Sequence, residues 1–265
     1  MAFACLCCGY KTIPKQPPGT YEICPICCWE DSFTDNESEH SNDVSLWQAQ
    51  KNFDEFGACE KKWLDIARPV AEADERERSF KALYVIENEI IDEIRIAFAG
   101  VYRLMSLRQA DVVDDYGPEG EYKRAGKLDC DTDWQEVPDE RIAQHDSALS
   151  FLDPTSFRYY VPAYMVWTLK NFRTTDSCSD GAIVYALTPY PLDHASDYEF
   201  AKTHLSSFPD SMLRYHLERF TALDRAQSRA VFHFLRYMSQ FSGFENAQIA
   251  IENYWGQFSE ERERA

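Results

Sequence analysis

Cys5 and Cys8 are separated by two residues, and so are Cys24 and Cys27, with fifteen residues between the pairs. C-x2-C-x15-C-x2-C is the spacing of a four-thiolate metal site. Two intervening residues let a tight turn aim both sulfurs at one ion about 2.3 Å away, while backbone N–H groups of the turn soften the thiolate charge. Gly9, directly after Cys8, suits the positive-φ position that closes such a turn, and Pro25 stiffens the second turn. Two turns facing each other complete a tetrahedron with no open position, the arrangement of a structural ion. The expected ligands are therefore Cys5, Cys8, Cys24 and Cys27. Zn2+ is the expected ion, and a single rubredoxin-type iron is the alternative that the same four thiolates accommodate.

Cys7 and Cys28 each adjoin a proposed ligand. Pairing Cys5 with Cys7 would leave one residue between them, an awkward bite for a tetrahedral ion. The two extra thiols read as buried spares, as a redox pair or as part of a two-metal cluster. A plain core of six reduced thiols is disfavoured, because almost no aliphatic side chains lie nearby in the sequence to complete it.

Composition narrows the setting. Nine cysteines, odd in number and crowded towards one end, do not suggest a disulfide framework. The opening "MAFACLCCGY" has neither a basic nor an apolar leader segment, so a cytoplasmic location is expected. No apolar run approaches the roughly 18 residues that cross a bilayer, and no membrane role is expected. The formal charge is −18, with 6 Lys and Arg against 11 Asp and Glu up to residue 70 and 21 against 34 beyond it. Neither part offers the basic field that nucleic acid requires. The partner expected is another protein, of basic charge; the oligomeric state is left open.

Beyond the cysteines, the sequence offers little that could carry a reaction. His40, His145, His194, His204, His216 and His233 are scattered, and no pair has HExxH spacing. His145 and His233 fall on apolar helical faces, where a satisfied core histidine is the usual outcome. "GEYKRAGKL" fails as a phosphate loop, with five residues between its glycines and Leu128 where Ser or Thr is required. Neither a G-x-S-x-G elbow nor a G-x-G-x-x-G turn occurs. Cys59, Cys130 and Cys178 stand alone, and the acidic neighbours of Cys130 would raise its pKa. Phe157, Tyr160, Tyr164 and Trp167 recur at helical steps and read as core; were they a groove, the tyrosine hydroxyls and Arg158 would be its polar contacts. No catalytic residue and no organic-cofactor residue is assigned. The leading expectation is a non-enzymatic binding protein, an adaptor or an immunity-type inhibitor. The alternatives are an enzyme of unfamiliar type with its pocket in the helical part, or a thiol redox protein.

The elements that position these residues read as mainly α. "IPKQPPG" is a turn-rich connection between two cysteine knuckles. A helix follows in "VSLWQAQKNFDEFG", with Ser45 as N-cap, Gly57 at its close, and Leu46, Ala49, Phe53 and Phe56 on the face turned to the metal module. A boundary falls in the charge-dense "RPVAEADERERS", giving a cysteine-rich module over 1–70 and a mostly helical domain over 71–265. In the latter, "FKALYVIENEIIDEIRIAFAG", "VPDERIAQHDSALSFL", "DPTSFRYYVPAYMVWTLKNF", "DRAQSRAVFHFLRYMSQFSG" and "ENAQIAIENYW" read as helices. Asp153 and Asp224 cap two of them, and Pro162 is expected to kink its own. Residues 114–133 read as a long loop, and "GAIVYALTP" as the best strand candidate.

On "CLCCGYKT", "PPGTYEICPICCWEDS" and "NDVSLWQAQKNFDEFGAC" the chain resembles the bacterial cysteine-rich CPCC family over about residues 3–70. The resemblance implies a metal-binding module. Leu6 stands where the family has its first proline, and Cys28 where an apolar residue or glycine is expected. The stretch "DWQEVPDERIAQHDSALSFLDPTSFRYYVPAYMVWTL" is similar to a second bacterial domain of unknown function, over about residues 80–255, which implies a recurring fold and no particular activity.

Overall fold

The computed structural model describes residues 2–32, 42–189 and 211–259. The chain divides into two compact units, Met1–Glu89 and Ile90–Ala265. It is mainly α, with a small cysteine-knuckle module at its N-terminal side. His40, His194 and His204 fall outside the described residues.

In the first unit, β1 (Phe3–Ala4) and β2 (Lys11–Ile13) form an antiparallel hairpin. Phe3 pairs with Ile13 and Ala4 with Lys11, a slip of one residue that bends the ribbon into the first knuckle. The helix α1 (Leu46–Phe56) starts where the sequence places it: Ser45 Oγ accepts the Gln48 N–H at 3.3 Å. It stops at Gly57, which turns left-handed and returns its N–H to the Phe53 carbonyl. Ala49 joins the cysteine core and Leu46 and Phe53 pack against it, so three of the four residues expected on this face dock; Phe56, in the last turn, is not among them. Buried Gln50, on the same helix, donates to the Leu6 carbonyl at 2.8 Å and accepts the Leu83 N–H at 2.7 Å.

The stretch between Arg68 and Glu77 runs against both knuckles. Arg68 N–H donates to the Pro25 carbonyl, Lys11 N–H to the Glu75 carbonyl and Glu77 N–H to the Gly9 carbonyl, all at 2.8–2.9 Å. Arg76 Nε adds a bond to the Cys8 carbonyl at 2.9 Å. These bonds satisfy backbone groups that a two-stranded ribbon leaves free.

Every regular element among the described residues of the second unit is a helix. Its order is the end of α2 (Leu83–Ala97), α3 (Leu107–Asp114), α4 (Glu119–Ala125), α5 (Asp139–Gln144), α6 (Pro154–Asn171), α7 (Ser179–Ala186), α8 (Ser211–Phe220), α9 (Arg225–Met238) and α10 (Glu245–Asn253). At its centre is α6. Asp153 Oδ1 accepts the N–H groups of Thr155 and Ser156, and Pro154 opens the first turn. From Ser156 to Leu169 every residue but Arg158 is buried, the signature of a helix enclosed on all sides. It runs on through Pro162 to Asn171. The partners that enclose it are α5, α7, α8 and the 3-10 turns Trp134–Glu136 and Ala148–Ser150. The helix α9 begins at Asp224 in a reciprocal capping box with Gln227, and buries Val231, Phe234, Leu235 and Met238 as its periodicity predicts.

Three expectations change. The apolar run "GAIVYALTP" is not a strand: its first part belongs to α7, which packs on α6. The supposed loop over 114–133 contains α4, whose first turn is acidic and last turn basic, with Glu119 and Lys123 paired. The helix read in "VPDERIAQHDSALSFL" divides into α5 and a 3-10 turn, and Pro138 is its N-cap, outside the first turn. No described helix is long and apolar enough to cross a membrane.

Candidate metal centre

The two knuckles are copies of one turn. In the first, Cys5 N–H donates to the Tyr10 carbonyl and Gly9 N–H to the Cys5 carbonyl, both at 2.8 Å. In the second, Cys24 N–H donates to the Trp29 carbonyl at 2.9 Å and Cys28 N–H to the Cys24 carbonyl at 2.8 Å. Gly9 (φ 76°) and Cys28 (φ 61°) hold equivalent left-handed positions. Each turn points its first and fourth side chains the same way, which is why two intervening residues suffice.

The structure brings Cys5, Cys8, Cys24 and Cys27 together, with all four sulfurs within 4.8 Å of one another and all four residues at 0–1% exposure. Cys5 Sγ lies 3.6 Å from Cys27 Sγ, and Cys8 Sγ 3.6 Å from Cys24 Sγ. A tetrahedron of thiolates around an ion at about 2.3 Å has an edge of about 3.8 Å, so the donor set fits one four-coordinate ion. The Thr12 hydroxyl, 3.1 Å from Cys24 Sγ, can donate to it as a thiolate.

Burial and mutual hydrogen bonding set the four thiols apart from one another. Hydrogen bonding from Cys27, then from Cys5 and Cys8, draws the Cys24 thiol down. Burial pushes Cys27 up, and hydrogen bonding to Cys24 does the same to Cys5. Four buried sulfurs can share one negative charge by themselves; four thiolates together require a positive ion among them.

Cys7 and Cys28 lie outside the four-sulfur group but within the same buried cluster. Burial pushes the thiols of Cys7 and Cys28 both up. Cys59, a lone cysteine by spacing, is the member that sequence reasoning missed. It is fully buried in this cluster, its N–H donates to the Cys27 carbonyl at 2.7 Å, and burial raises its thiol. Its place just after α1, the helix already assigned to this face, is the signal that could have found it.

The other candidates are dispersed through the second unit. His145 Nδ1 pairs with Asp111 Oδ2 at 2.5 Å, and His233 Nδ1 with Glu93 Oε2 at 2.6 Å, so both apolar-face histidines are satisfied by carboxylates. Burial pushes Glu93 up, but His233 and Arg229 outweigh it and hold the carboxyl below its usual range. His216 is buried with Nδ1 unpartnered. Phe157, Tyr160 and Tyr164 are wholly buried in the core, the Tyr160 hydroxyl without a hydrogen-bond partner. Tyr164 donates to the His145 carbonyl and Arg158 to Gln227, so neither is free to serve as a groove contact.

Cys178 and Cys130 are exposed. Around Cys130 the expected acidic neighbours point elsewhere. Asp129 and Asp131 turn inward, at 0% and 2% side-chain exposure, to meet Arg103, Arg108 and Arg141. The arginines neutralise the two carboxylates.

Comparison with family models matches residues 3–75 to the cysteine-rich CPCC family and residues 86–259 to a family of unknown function, DUF6714. Comparison with curated proteins and with solved structures gives no significant match. The two matched stretches follow the division between the knuckle module and the helical unit, and the second covers well over half of the chain. The chain therefore belongs to the DUF6714 family of unknown function and carries a cysteine-rich CPCC module ahead of that domain.

Proposed function

We propose that the protein is a zinc-stapled, non-enzymatic binding protein of the cytoplasm. In this reading Cys5, Cys8, Cys24 and Cys27 hold one structural Zn2+, and the chain acts on a basic protein as an adaptor or an immunity-type inhibitor. The carrying observation for the ion is the closed group of four buried sulfurs with paired edges of 3.6 Å. Such a site has no face open to substrate, which suits an ion that holds the fold. A unit of this size that packs mostly thiols and few aliphatic side chains gains little from burial without it. Metal analysis of the full chain purified without chelator tests this part. One equivalent of zinc in colourless protein is the expected result, whereas a visible ferric–thiolate band would make it an iron protein, and a metal-free module that stays folded would end the reading.

For the partner, the support is charge: 34 acidic against 21 basic residues beyond residue 70 form a field that attracts cationic surfaces. Crosslinking capture with the intact chain, followed by titration of the identified partner, tests it. A basic protein whose association rate falls steeply with salt is expected. Capture of acidic proteins alone, or of none, would count against the binding role.

A further inference from the structure

A buried charge is ordinarily met by an opposite one. Arg219, in the last turn of α8, is 2% exposed, and no carboxylate pairs with it among the described residues. Neutral groups hold its guanidinium instead. Nη2 donates to the carbonyls of Ser150 and Leu152, and Cζ stands over the rings of Tyr215 and Phe157, 3.7 and 5.1 Å from their centroids. Asp153 acts on this charge from further off, but its oxygens are spent on the start of α6, where they accept the Thr155 and Ser156 N–H groups and the Ser156 hydroxyl. Arg219 Nε–H is left buried with no acceptor.

His216 precedes Arg219 by three residues and so faces the same side of α8. It is 8% exposed, and its Nδ1 is also buried without a partner. Tyr215 adjoins both side chains, its ring centroid 5.6 Å from that of the imidazole. Two unmatched nitrogens thus stand beside one positive charge that no carboxylate balances. At neutral pH the imidazole is uncharged, and with its proton on Nδ1 it is a donor, as Arg219 Nε–H is. We propose that Arg219 Nε–H and His216 Nδ1–H together bind one chloride ion. A single negative charge balances the guanidinium, and an enclosed pair of donors favours a one-atom anion over sulfate or phosphate.

Chloride is the probe. It is titrated into the full chain at neutral pH and constant ionic strength, with sodium gluconate, whose anion is too large for an enclosed site, making up the balance. The Arg219 Nε–H and His216 ring resonances are followed by NMR. The expected result is a saturable shift of both with one midpoint, reproduced by bromide and absent when gluconate alone is varied. His216→Leu removes one donor and should weaken chloride about tenfold or more, read at Arg219 Nε–H. The proposal is overturned if chloride gives no saturable shift, if the two resonances move with different midpoints, or if gluconate matches chloride. It is equally overturned if His216→Leu binds chloride as tightly as the parent, which would leave His216 outside the site. Should that variant fail to fold, the two midpoints in the parent decide alone. Neither metal content nor a protein partner enters these measurements, so the outcome is independent of the functional reading above.

Discussion

Gly9 and Cys28 occupy the same place in two copies of one turn: each follows the last cysteine of its knuckle, each is left-handed, and each returns its N–H to the carbonyl of the first cysteine at 2.8 Å. Only one of the two is the residue that conformation favours. An L-residue there carries about 1–2 kcal/mol of strain. Replacing Cys28 by Gly should thus leave a protein about 1 kcal/mol more stable than replacing it by Ala, the reverse of their order in ordinary backbone. Both variants lose the same thiol, so chemical denaturation of the pair isolates the backbone term. At Gly9 the requirement is stricter, because an added Cβ would lie 2.5 Å from Cγ of Phe80. Gly9→Ala should cost more than about 2 kcal/mol, strain and overpacking together.

The same equivalence separates ligands from bystanders. Cys28 serves as the closing residue of a turn and lies outside the four-sulfur group, whereas Cys24 is part of it. Cys24→Ser should abolish metal binding and unfold the module. Cys28→Ser should keep one equivalent of metal, measured by elemental analysis beside circular dichroism. Equal metal loss in the two variants would show that the ligands are wrongly assigned.

Thr12 is the one side-chain hydroxyl found against a sulfur of the four-cysteine group among the described residues, 3.1 Å from Cys24 Sγ. A hydrogen bond to a coordinating atom typically accounts for about 10- to 100-fold in metal affinity. Thr12→Val, which keeps the shape and removes the donor, should therefore lose metal to a competing chelator at about that ratio, and Thr12→Ser should recover most of the retention. Valine and serine variants that behave alike would leave the hydroxyl with no part in holding the ion.

The knuckles could be read from the sequence because their information is local: two residues between ligands and a glycine or proline at each turn define the geometry by themselves. The same holds for Ser45, Asp153 and Asp224, each of which caps its own helix within three residues. What the sequence hid depends on distant neighbours. Cys59 reaches the thiol cluster across 32 residues from Cys27, and no spacing rule covers that distance. The run in α7 is apolar and short, so its periodicity fits either a strand or a buried helix, and packing on α6 decides between them. Glycine, aspartate and lysine made 114–133 look like a loop, although acidic first-turn and basic last-turn residues already marked α4. Asp129 and Asp131 were read by their nearness to Cys130 along the chain, but alternation turns them towards arginines from three other segments.

That inward turn gives neighbouring residues opposite weights. The Asp131 side chain is enclosed, with Arg141 Nη1 at 2.5 Å, Arg103 Nε at 3.0 Å and the Tyr159 hydroxyl donating at 3.0 Å. Asp131→Asn keeps the shape but leaves Arg103 without its carboxylate and Arg141 with Asp129 alone, a loss of about 3 kcal/mol. Cys130→Ser, one residue away and exposed, should change stability by less than about 0.5 kcal/mol. Urea titration of both variants measures the contrast. Similar midpoints would mean that the arginines find other partners or water when Asp131 is neutral.

His216 makes the stability of the second unit depend on acid. Burial, then the charge of Arg219, lowers the imidazole to about 4, while Nδ1 has no partner. An unfolded chain presents histidine near its ordinary pKa of about 6.5. Between those values the unfolded state takes up a proton that the folded state refuses, so the contribution is intact above about pH 6.5 and is lost as pH falls towards 4. His216→Gln, which cannot titrate, should flatten this part of the pH dependence. Because acid would also release any metal held by the four-cysteine group of the first unit, the informative quantity is the difference between parent and variant at each pH, with unfolding followed in the second unit. In the folded parent, the His216 ring protons should keep their neutral-imidazole shifts at pH 5. Parallel acid-stability curves for the two proteins, or a ring that titrates near 6.5, would show that His216 is hydrated and that the buried imidazole plays no part in the acid sensitivity.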